Sequence, residues 1–247
     1  MDDRRVRDIR LYRNRCRAVV LNTGVVEATS PYVAFLDHDD DWMPAKLERQ
    51  LAALQGGPEV PFCYTDVEWV LPDGTRRDTS SGQITYAGLL SSQTVSFCSV
   101  VMARDAYLTV GGMSSLLTWA QDFDFLLRAL DGAPDPLYVP EVLTRYYIHG
   151  QNHSRNYRGS VGYRRQLLRL HRAKAEREGR TDVVAACDAG LRRARELYGA
   201  QAFDQARLAY AAGDFSRTAR ELFETARSQP GILATAARDR LPGRNHR

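Results

Sequence analysis

Four aspartates follow a short apolar segment near the start of the chain. Residues 32–36 are apolar or aromatic, and Asp37, Asp39, Asp40 and Asp41 come after them. A short apolar run between Ser-Pro and acidic residues predicts a buried strand. Carboxylates crowded at the end of such a strand repel one another, and a hard cation such as Mg²⁺ or Mn²⁺ would relieve that repulsion. Because ligands bind at the carboxyl ends of strands in open α/β sheets, the pattern predicts metal-assisted chemistry.

A structural role for the acidic segment is the alternative. Asp41 could cap a helix that is predicted to begin near Trp42. One cap accounts for one aspartate and leaves Asp37 and Asp39 unexplained, so we favour the interpretation that involves a metal.

A second candidate acid, Asp122, lies at the predicted start of a helix over 122–130. Its structural role would be to cap that helix or to interact with the helix dipole. Asp124 and Arg128 are spaced for a surface ion pair. Together with the upstream aspartates, Asp122 becomes a candidate general base, because a metal-bound sugar diphosphate needs a carboxylate that deprotonates the incoming hydroxyl.

The composition is that of an ordinary globular protein. The chain has 247 residues, is 44% hydrophobic and 26% charged, and carries a formal net charge of +4, which does not by itself imply nucleic acid. Its four cysteines form no CxxC pair, which argues against a zinc site or a disulfide framework and suits a reducing cytoplasm. No signal peptide is predicted, and no apolar stretch approaches the roughly 20 residues of a membrane span.

The pattern of residues 1–155 predicts an α/β domain. Helices are predicted at 18–27, from near 42 to 55, at 103–110 and at 122–130. Strands are predicted at 32–36, 62–65, 95–102 and 142–148. A hairpin outside the main sheet is predicted with arms at 68–71 and from 75 onward, joined by a turn at 72–74.

From about residue 155 the pattern becomes helical. We predict a helical appendage over 156–247, in which a helix hairpin near 198–228 resembles a tetratricopeptide unit. A packing role is favoured over a partner-binding array, because one hairpin cannot form a solenoid. Residues 155–180 are rich in arginine. We favour the interpretation that these arginines form a solvated helix face. Binding to an anionic membrane surface is the alternative. Nucleic-acid binding ranks lower, because aromatic residues are not interleaved with the arginines.

The motifs between residues 21 and 154 resemble, in order and spacing, those of the inverting nucleotide-sugar glycosyltransferases of family 2. The matching segments are 21–25 (LNTGV), 32–40 (YVAFLDHDD), 42–47 (WMPAKL), 64–66 (YTD), 99–101 (SVV), 111–113 (GGM), 121–124 (QDFD) and 146–154 (YYIHGQNHS). The resemblance implies the GT-A fold, a Rossmann-like mixed sheet flanked by helices.

By this resemblance, the nucleotide-sugar site comprises Asn22, Asp37, Asp39, Gly111 and Gly112. Asp37 would approach the ribose, and Asp39 would bind Mg²⁺ or Mn²⁺ at the diphosphate. The two glycines would let the backbone come close to the donor or the acceptor.

The resemblance also implies the reaction. Asp122 would be the catalytic base, and His149 would supply a further metal or phosphate contact, with a structural role at a strand end as its alternative. An acceptor hydroxyl would attack the anomeric carbon as the nucleoside diphosphate leaves, so that the configuration inverts. Because the chain has no Gln-x-x-Arg-Trp stretch, the enzyme is expected to be non-processive.

The chain departs from the family pattern at three places. It opens at residues 7–11, which we predict to be a later strand of the fold, so two upstream strand-helix units would be missing and the GT-A domain incomplete at its N-terminus. Leu21 stands where the family usually has arginine, and Gln121 where it usually has glutamate.

Two other functions stay open. A strand that ends in DxD is also the first motif of phosphatases of the haloacid dehalogenase type, in which the first aspartate is a nucleophile. In that motif Thr or Val usually stands at the position that Asp41 occupies here. Alternatively, a chain that lacks the upstream strand-helix units, which bind the nucleotide base in the family, could be a non-catalytic binding or scaffold protein.

We favour a cytoplasmic, metal-dependent glycosyltransferase of polysaccharide biosynthesis. Its expected partners are a nucleotide-sugar donor and a saccharide or lipid-linked acceptor, with peripheral contact at the inner membrane face as an option and without nucleic acid.

Overall fold

The computed structural model describes residues 5–12, 16–57, 59–149 and 157–238. The chain divides into two compact units, Met1–Arg155 and Asn156–Arg247. The first unit is built on a mixed sheet, and the second consists of helices.

The first unit alternates short helices with strands. Its helices are α1 (Arg17–Glu27), α2 (Lys46–Gly56), α3 (Tyr86–Ser91), α4 (Arg104–Thr109) and α5 (Gln121–Leu130). Its strands are β1 (Tyr32–Ala34), β2 (Asp41–Trp42), β3 (Cys63–Val70), β4 (Arg76–Thr79), β5 (Val101–Ala103) and β6 (Leu137–Tyr147), and a 3₁₀ turn spans Phe97–Ser99.

The sheet has the strand order β1-β5-β3-β6-β2, and β4 pairs with β3. β3 and β6 are parallel, whereas the other pairs are antiparallel. Because β1 and β3 are both antiparallel to β5, they run in the same direction as β6. The carboxyl ends of β1, β3 and β6 therefore lie at one edge of the sheet, where α/β proteins bind ligands.

An aromatic cluster forms the core next to this edge. The rings of Phe35 and Phe97 have centroids 4.4 Å apart, and those of Tyr107 and Phe125 are 4.7 Å apart. Phe35 also contacts Tyr107 at 5.5 Å. All four residues are buried. Because Phe35 comes just before the acidic segment, burial of its ring fixes where that segment begins.

Three strand predictions are wrong. Residues 7–11 form no strand, and none of the described strands pairs with them. Arg7 instead bonds Glu27, and Arg10 bonds Asp8. Residues 95–102 are divided between the 3₁₀ turn and β5. The predicted hairpin does not lie outside the main sheet, because its first arm is the carboxyl half of β3, which pairs with β6.

The second unit contains α6 (Tyr157–Arg177), α7 (Thr181–Ala211), α8 (Phe215–Ser228) and α9 (Pro230–Arg238). The predicted helix hairpin is present as α7 and α8. Gly213 adopts φ +75° in the turn, and the Asp214 side chain caps α8 by accepting from Arg217 N–H at 2.9 Å. α7 begins at Thr181, upstream of the prediction. The resemblance to a tetratricopeptide unit stays a prediction.

The arginine-rich segment corresponds mainly to α6. Arg172 bonds both Asp188 and Glu176 at 2.7 Å, so acidic side chains offset part of its basic charge. Of the helices that the structure describes, none is long and apolar enough to cross a membrane.

Candidate functional site

The acidic segment forms a turn at the carboxyl edge of the sheet. Within it, Asp40 N–H donates to the Asp37 carbonyl at 3.1 Å. The chain then enters β2, where Asp41 pairs with Arg145 of β6. The turn is therefore anchored by the buried Phe35 on one side and by the sheet on the other.

Asp37 is bound by an arginine that the sequence analysis missed. Arg17, the first residue of α1, donates from Nε and Nη2 to Asp37 Oδ1 at 3.2 and 3.1 Å, and Nη2 lies 3.0 Å from Oδ2. Its guanidinium also lies over the Phe97 ring, 5.7 Å from the centroid. Both side chains of the pair are 36% exposed. The sequence could have pointed to Arg17 through its spacing. Arg17 lies about one helical turn before Leu21, the position at which the family usually has arginine.

Asp39 contacts a histidine from the end of β6. His149 Nε2 lies 2.8 Å from Asp39 Oδ2, and His38 Nδ1 lies 3.8 Å from Oδ1. Burial raises the pKa of Asp39, but hydrogen bonds from His149 and the backbone, with the electrostatic effect of both histidines, lower it more. The pKa of Asp39 is therefore below its ordinary value, and its carboxylate form is favoured. The structure thus brings together the two residues predicted to contact a metal.

Asp40 is a buried carboxyl that lies close to the Cys98 thiol. Its Oδ1 accepts from Tyr147 N–H at 3.2 Å, whereas its buried Oδ2 has no hydrogen-bond partner among the described residues. Burial raises the pKa of Asp40 to about 6, and the negative charges of Asp37 and Asp39 act in the same direction. Electrostatic repulsion inside the turn is therefore real, as the sequence indicated.

Asp41 does not cap α2. That helix begins at Lys46, and its N-cap residue, Ala45, makes no side-chain hydrogen bond. Asp41 lies in β2, and its Oδ2 accepts from the Tyr147 hydroxyl at 2.8 Å. The helix starts later than predicted because pairing with β6 keeps residues 41 and 42 extended.

Asn22 uses its side chain to hold the glycine loop. Oδ1 accepts from the Tyr107 hydroxyl at 2.6 Å and from Met113 N–H at 2.9 Å, while Nδ2 donates to the Met113 carbonyl at 2.9 Å. A Cβ on Gly112 would lie 2.6 Å from Asn22 Oδ1, and Gly111 and Gly112 both have positive φ. These bonds assign Asn22 a positioning role, and its predicted contact with a nucleotide sugar stays a prediction.

Arg128 holds the same loop from the other side. It donates from Nη1 to the Val110 carbonyl at 2.7 Å and from Nη2 to the Gly112 carbonyl at 2.8 Å. The predicted ion pair with Asp124 is present at 2.8 Å. It is not a surface pair, however, because Asp124 is buried. The spacing indicated the pair but not the backbone contacts, which come from distant residues.

Asp122 lies in the first turn of α5, after a strained residue. Ala120 has φ +57° and is the only non-glycine residue with positive φ among those described; such outliers often accompany functional sites. Asp122 Oδ1 accepts from Phe123 N–H at 2.8 Å. Within the described parts of the chain, no hydrogen bond or ion pair joins Asp122 to Asp37 or Asp39, so its role as the base stays a prediction.

A buried lysine lies under the acidic turn and was also missed. Lys46 is 0% exposed, donates to Gln50 Oε1 at 2.7 Å and lies 4.5 Å from the ring of Trp42. Burial lowers its pKa to about 8. Gln50 and Trp42 in turn donate to the carbonyls of Ser99 and Cys98, each at 3.0 Å. This network joins α2 and β2 to the 3₁₀ turn.

The residues present are compatible with a metal ion only where ligands from outside the protein complete its coordination. Across the described residues, no group of three or more His, Cys, Asp or Glu side chains could hold a metal by themselves. Asp39 and His149 nevertheless offer an oxygen and a nitrogen, and Asp40 Oδ2 has no partner. Mg²⁺ sites commonly use one or two carboxylates with substrate phosphates and water, so a small set of protein ligands is consistent with such a site.

Comparisons with known proteins find similarity to glycosyltransferases over part of the chain. Residues 2–98 match the family model described as glycosyl transferase family 2. An uncharacterized glycosyltransferase from Haemophilus influenzae is 26% identical over 156 residues, which cover 59% of this chain and 52% of that protein. TuaG from Bacillus subtilis, named for teichuronic acid biosynthesis, is 31% identical over 106 residues, which cover 42% of each chain. The chain thus spans about half the length of these relatives.

A solved structure shares the fold. The mannosyltransferase PcManGT from Pyrobaculum calidifontis, in complex with GDP-Man and Mn²⁺, matches with a TM-score of 0.53 at 18% identity, over 94% of this chain and 61% of that chain. The mixed sheet with an acidic turn at its carboxyl edge is the GT-A fold predicted from the sequence, and that prediction is confirmed. The match over residues 2–98 and the similarity to these relatives agree with the resemblance to family 2 glycosyltransferases that the motifs indicated.

Proposed function

We propose that this chain is a non-processive glycosyltransferase that moves a sugar from a nucleotide-sugar donor to an acceptor hydroxyl with inversion. The pairing of Asp39 with His149, next to the Arg17–Asp37 pair, carries the proposal. Both pairs lie at the sheet edge where α/β proteins bind ligands. The match of residues 2–98 to the family model and the GDP-Man bound by PcManGT support a nucleoside diphosphate sugar as the donor class.

The roles of the side chains follow from their chemistry. Asp39 and His149 would hold Mg²⁺ or Mn²⁺, which when bound offsets negative charge on the diphosphate leaving group. Asp37 would accept hydrogen bonds from the ribose. Asp122 would remove the proton of the acceptor hydroxyl. Asn22 and Arg128 would keep the Gly111–Gly112 loop in place.

The Arg17–Asp37 contact disfavours the phosphatase alternative. A nucleophilic aspartate needs a free oxygen directed at phosphorus, whereas Arg17 contacts both oxygens of Asp37. A non-catalytic binding or scaffold protein is the alternative function, and it would bind no nucleotide-sugar donor.

The acceptor and the surroundings of the enzyme form part of the proposal. We propose a saccharide or lipid-linked acceptor, as suits enzymes of this kind. We also propose a cytoplasmic location, with α6 as the candidate surface for peripheral membrane contact. We further propose that 1–155 and 156–247 act as separate domains, the second mainly in packing.

Thermal unfolding with UDP, GDP or dTDP, each with and without Mn²⁺, tests this function. We expect a Mn²⁺-dependent rise in Tm for one nucleotide, lost in Asp39→Ala. The rise should persist in Asp41→Asn, because Asp41 bonds Tyr147. Absence of a response in the wild type would contradict the proposed donor site. The anomeric configuration of the product, read by NMR with the matching donor sugar, tests inversion.

A further inference from the structure

We propose that Arg17 is a donor-site positioning residue, which orients Asp37 toward the ribose of the nucleotide. This inference rests on the proposed function and adds a residue to its donor site. Among the described residues, Arg17 alone bonds the Asp37 carboxylate, at 3.0 to 3.2 Å. A planar guanidinium that contacts both oxygens fixes the plane of the carboxylate as well as its position.

Arg17 is itself held by the fold. Its neighbour Ala18 is 0% exposed, and Arg104 donates to the carbonyls of Val25 and Val26 at 2.9 Å near the other end of α1. Between these ends, Asn22 bonds Met113. The helix therefore has contacts along its whole length, and the Phe97 ring restricts the guanidinium. A side chain oriented beforehand in this way loses less entropy when a ligand binds.

The charge of Arg17 suits an anionic ligand. The turn contains Asp37, Asp39 and Asp40, so three carboxyl groups crowd within four residues of the chain. A diphosphate brings further negative charge to the same edge of the sheet. Arg17 offsets the charge of Asp37 while leaving acceptor capacity on it, because a carboxylate has about four lone-pair sites.

The position one helical turn after Arg17 holds an apolar residue. Leu21, about one helical turn further along α1, has an apolar side chain that cannot bond a carboxylate. Residues one turn apart share a helix face. In a variant that carries both Arg17→Leu and Leu21→Arg, the new arginine is therefore expected to approach Asp37 from the next helical turn. This variant tests whether the lost contact with Asp37 can be restored.

Calorimetric titration with Mn²⁺ tests this role, using the ribo and 2′-deoxy forms of the nucleoside diphosphate that stabilises the wild type. We expect the wild type to prefer the ribo form. In Arg17→Leu, Kd for the ribo form should rise about tenfold, the equivalent of 1.4 kcal/mol, and the ratio of the two Kd values should approach one. Asp37→Asn should behave alike, and the double variant should be no worse than either single variant.

Matched variants separate positioning from folding. Arg10→Gln removes another exposed arginine, which pairs with Asp8, and should leave both Kd values unchanged. Arg17→Leu combined with Leu21→Arg should recover part of the preference for ribose. If Arg17→Leu does not fold, Arg17→Lys replaces it, and partial loss of the ribose preference is expected because an ammonium cannot contact two oxygens in the same way.

The outcomes are distinguishable from failure of the proposed function. If no nucleoside diphosphate binds the wild type, both proposals are overturned. If the wild type binds one and Arg17→Leu keeps its affinity and its ribose preference, the role of Arg17 alone is overturned. A wild type without ribose preference would also overturn it.

Discussion

His149 Nε2 lies 2.8 Å from Asp39 Oδ2, and this contact joins residues 110 positions apart in the chain. On the other side of the same carboxylate, His38 is 95% exposed and 3.8 Å away. The two histidines therefore form a matched pair, of which only one is in hydrogen-bond contact with Asp39.

The first prediction compares these histidines. His149→Ala should weaken Mn²⁺-dependent nucleotide binding about tenfold or more, because the side chain either ligates the metal or orients a ligand. His38→Ala should leave binding within about twofold, since exposed charges are screened. Calorimetric titration of both variants measures the difference. Equal losses in the two variants would contradict a specific role for His149.

The second prediction concerns the base. Asp122→Asn should lower kcat by a factor of about 10² to 10⁴, the usual contribution of a positioned general base. Nucleotide Kd should not change, because Asp122 contacts only its own helix backbone among the described residues. Steady-state kinetics combined with titration measures both quantities. A variant that keeps full kcat would exclude Asp122 as the base.

The third prediction concerns the glycine loop. Gly112→Ala should destabilise the protein by about 2 kcal/mol, because a Cβ would lie 2.6 Å from Asn22 Oδ1 and the residue has φ +67°. Gly24→Ala is the matched control: it lies in α1, and a Cβ there meets nothing within 4 Å. Alanine at that position should stabilise by about 0.5–1 kcal/mol. Urea unfolding measures both, and similar stabilities for the two variants would count against the close approach of Asn22.

The fourth prediction concerns pH. Burial lowers the pKa of Lys46 to about 8 from 10.5, so between these values the unfolded chain binds more protons than the folded chain. The free energy of unfolding of the wild type should therefore rise with pH over this range, relative to Lys46→Met, with a slope of up to about 1.4 kcal/mol per pH unit. Cys63 and Cys98 are present in both proteins, so the difference reports Lys46 together with its electrostatic coupling to these two thiols. Parallel stability curves from pH 7 to 10.5 would show that the folded lysine is not desolvated.

The fifth prediction concerns the helical unit. Glu221, whose side chain is 6% exposed, accepts from the Tyr157 hydroxyl at 2.5 Å and from Arg158 at 2.9 Å. Glu221→Gln should destabilise this unit by about 1–3 kcal/mol, because buried charge-assisted hydrogen bonds are lost. Glu196→Gln removes a pair that is half exposed and should change stability by less than about 0.5 kcal/mol. Hydrogen exchange at α8 reports the effect, and unchanged protection in Glu221→Gln would contradict it.

Several features of this protein could be read from the sequence because they depend on local pattern. The apolar run before Asp37, the helical spacing of α5 and the Gly-Asp turn before α8 each predicted an element that the structure contains. The order of short motifs indicated the resemblance to family 2 glycosyltransferases, and the family model matches residues 2–98. Boundaries were less accurate, since the length of β3 and the start of α2 depend on pairing with β6, which lies far away in the chain.

The partners of the acidic residues were decided by tertiary structure. The spacing of Asp37, Asp39 and Asp40 indicated that charges crowd together. It did not indicate that Arg17, His149 and the Tyr147 backbone N–H would meet them. Likewise, Asn22 could be expected in the donor site, yet its side chain holds the loop at Met113. A sequence determines which groups carry charge and which segments are apolar. Which groups touch depends on how the strands pair and on which helix turn faces the sheet edge, and those choices are made by burial of the whole core.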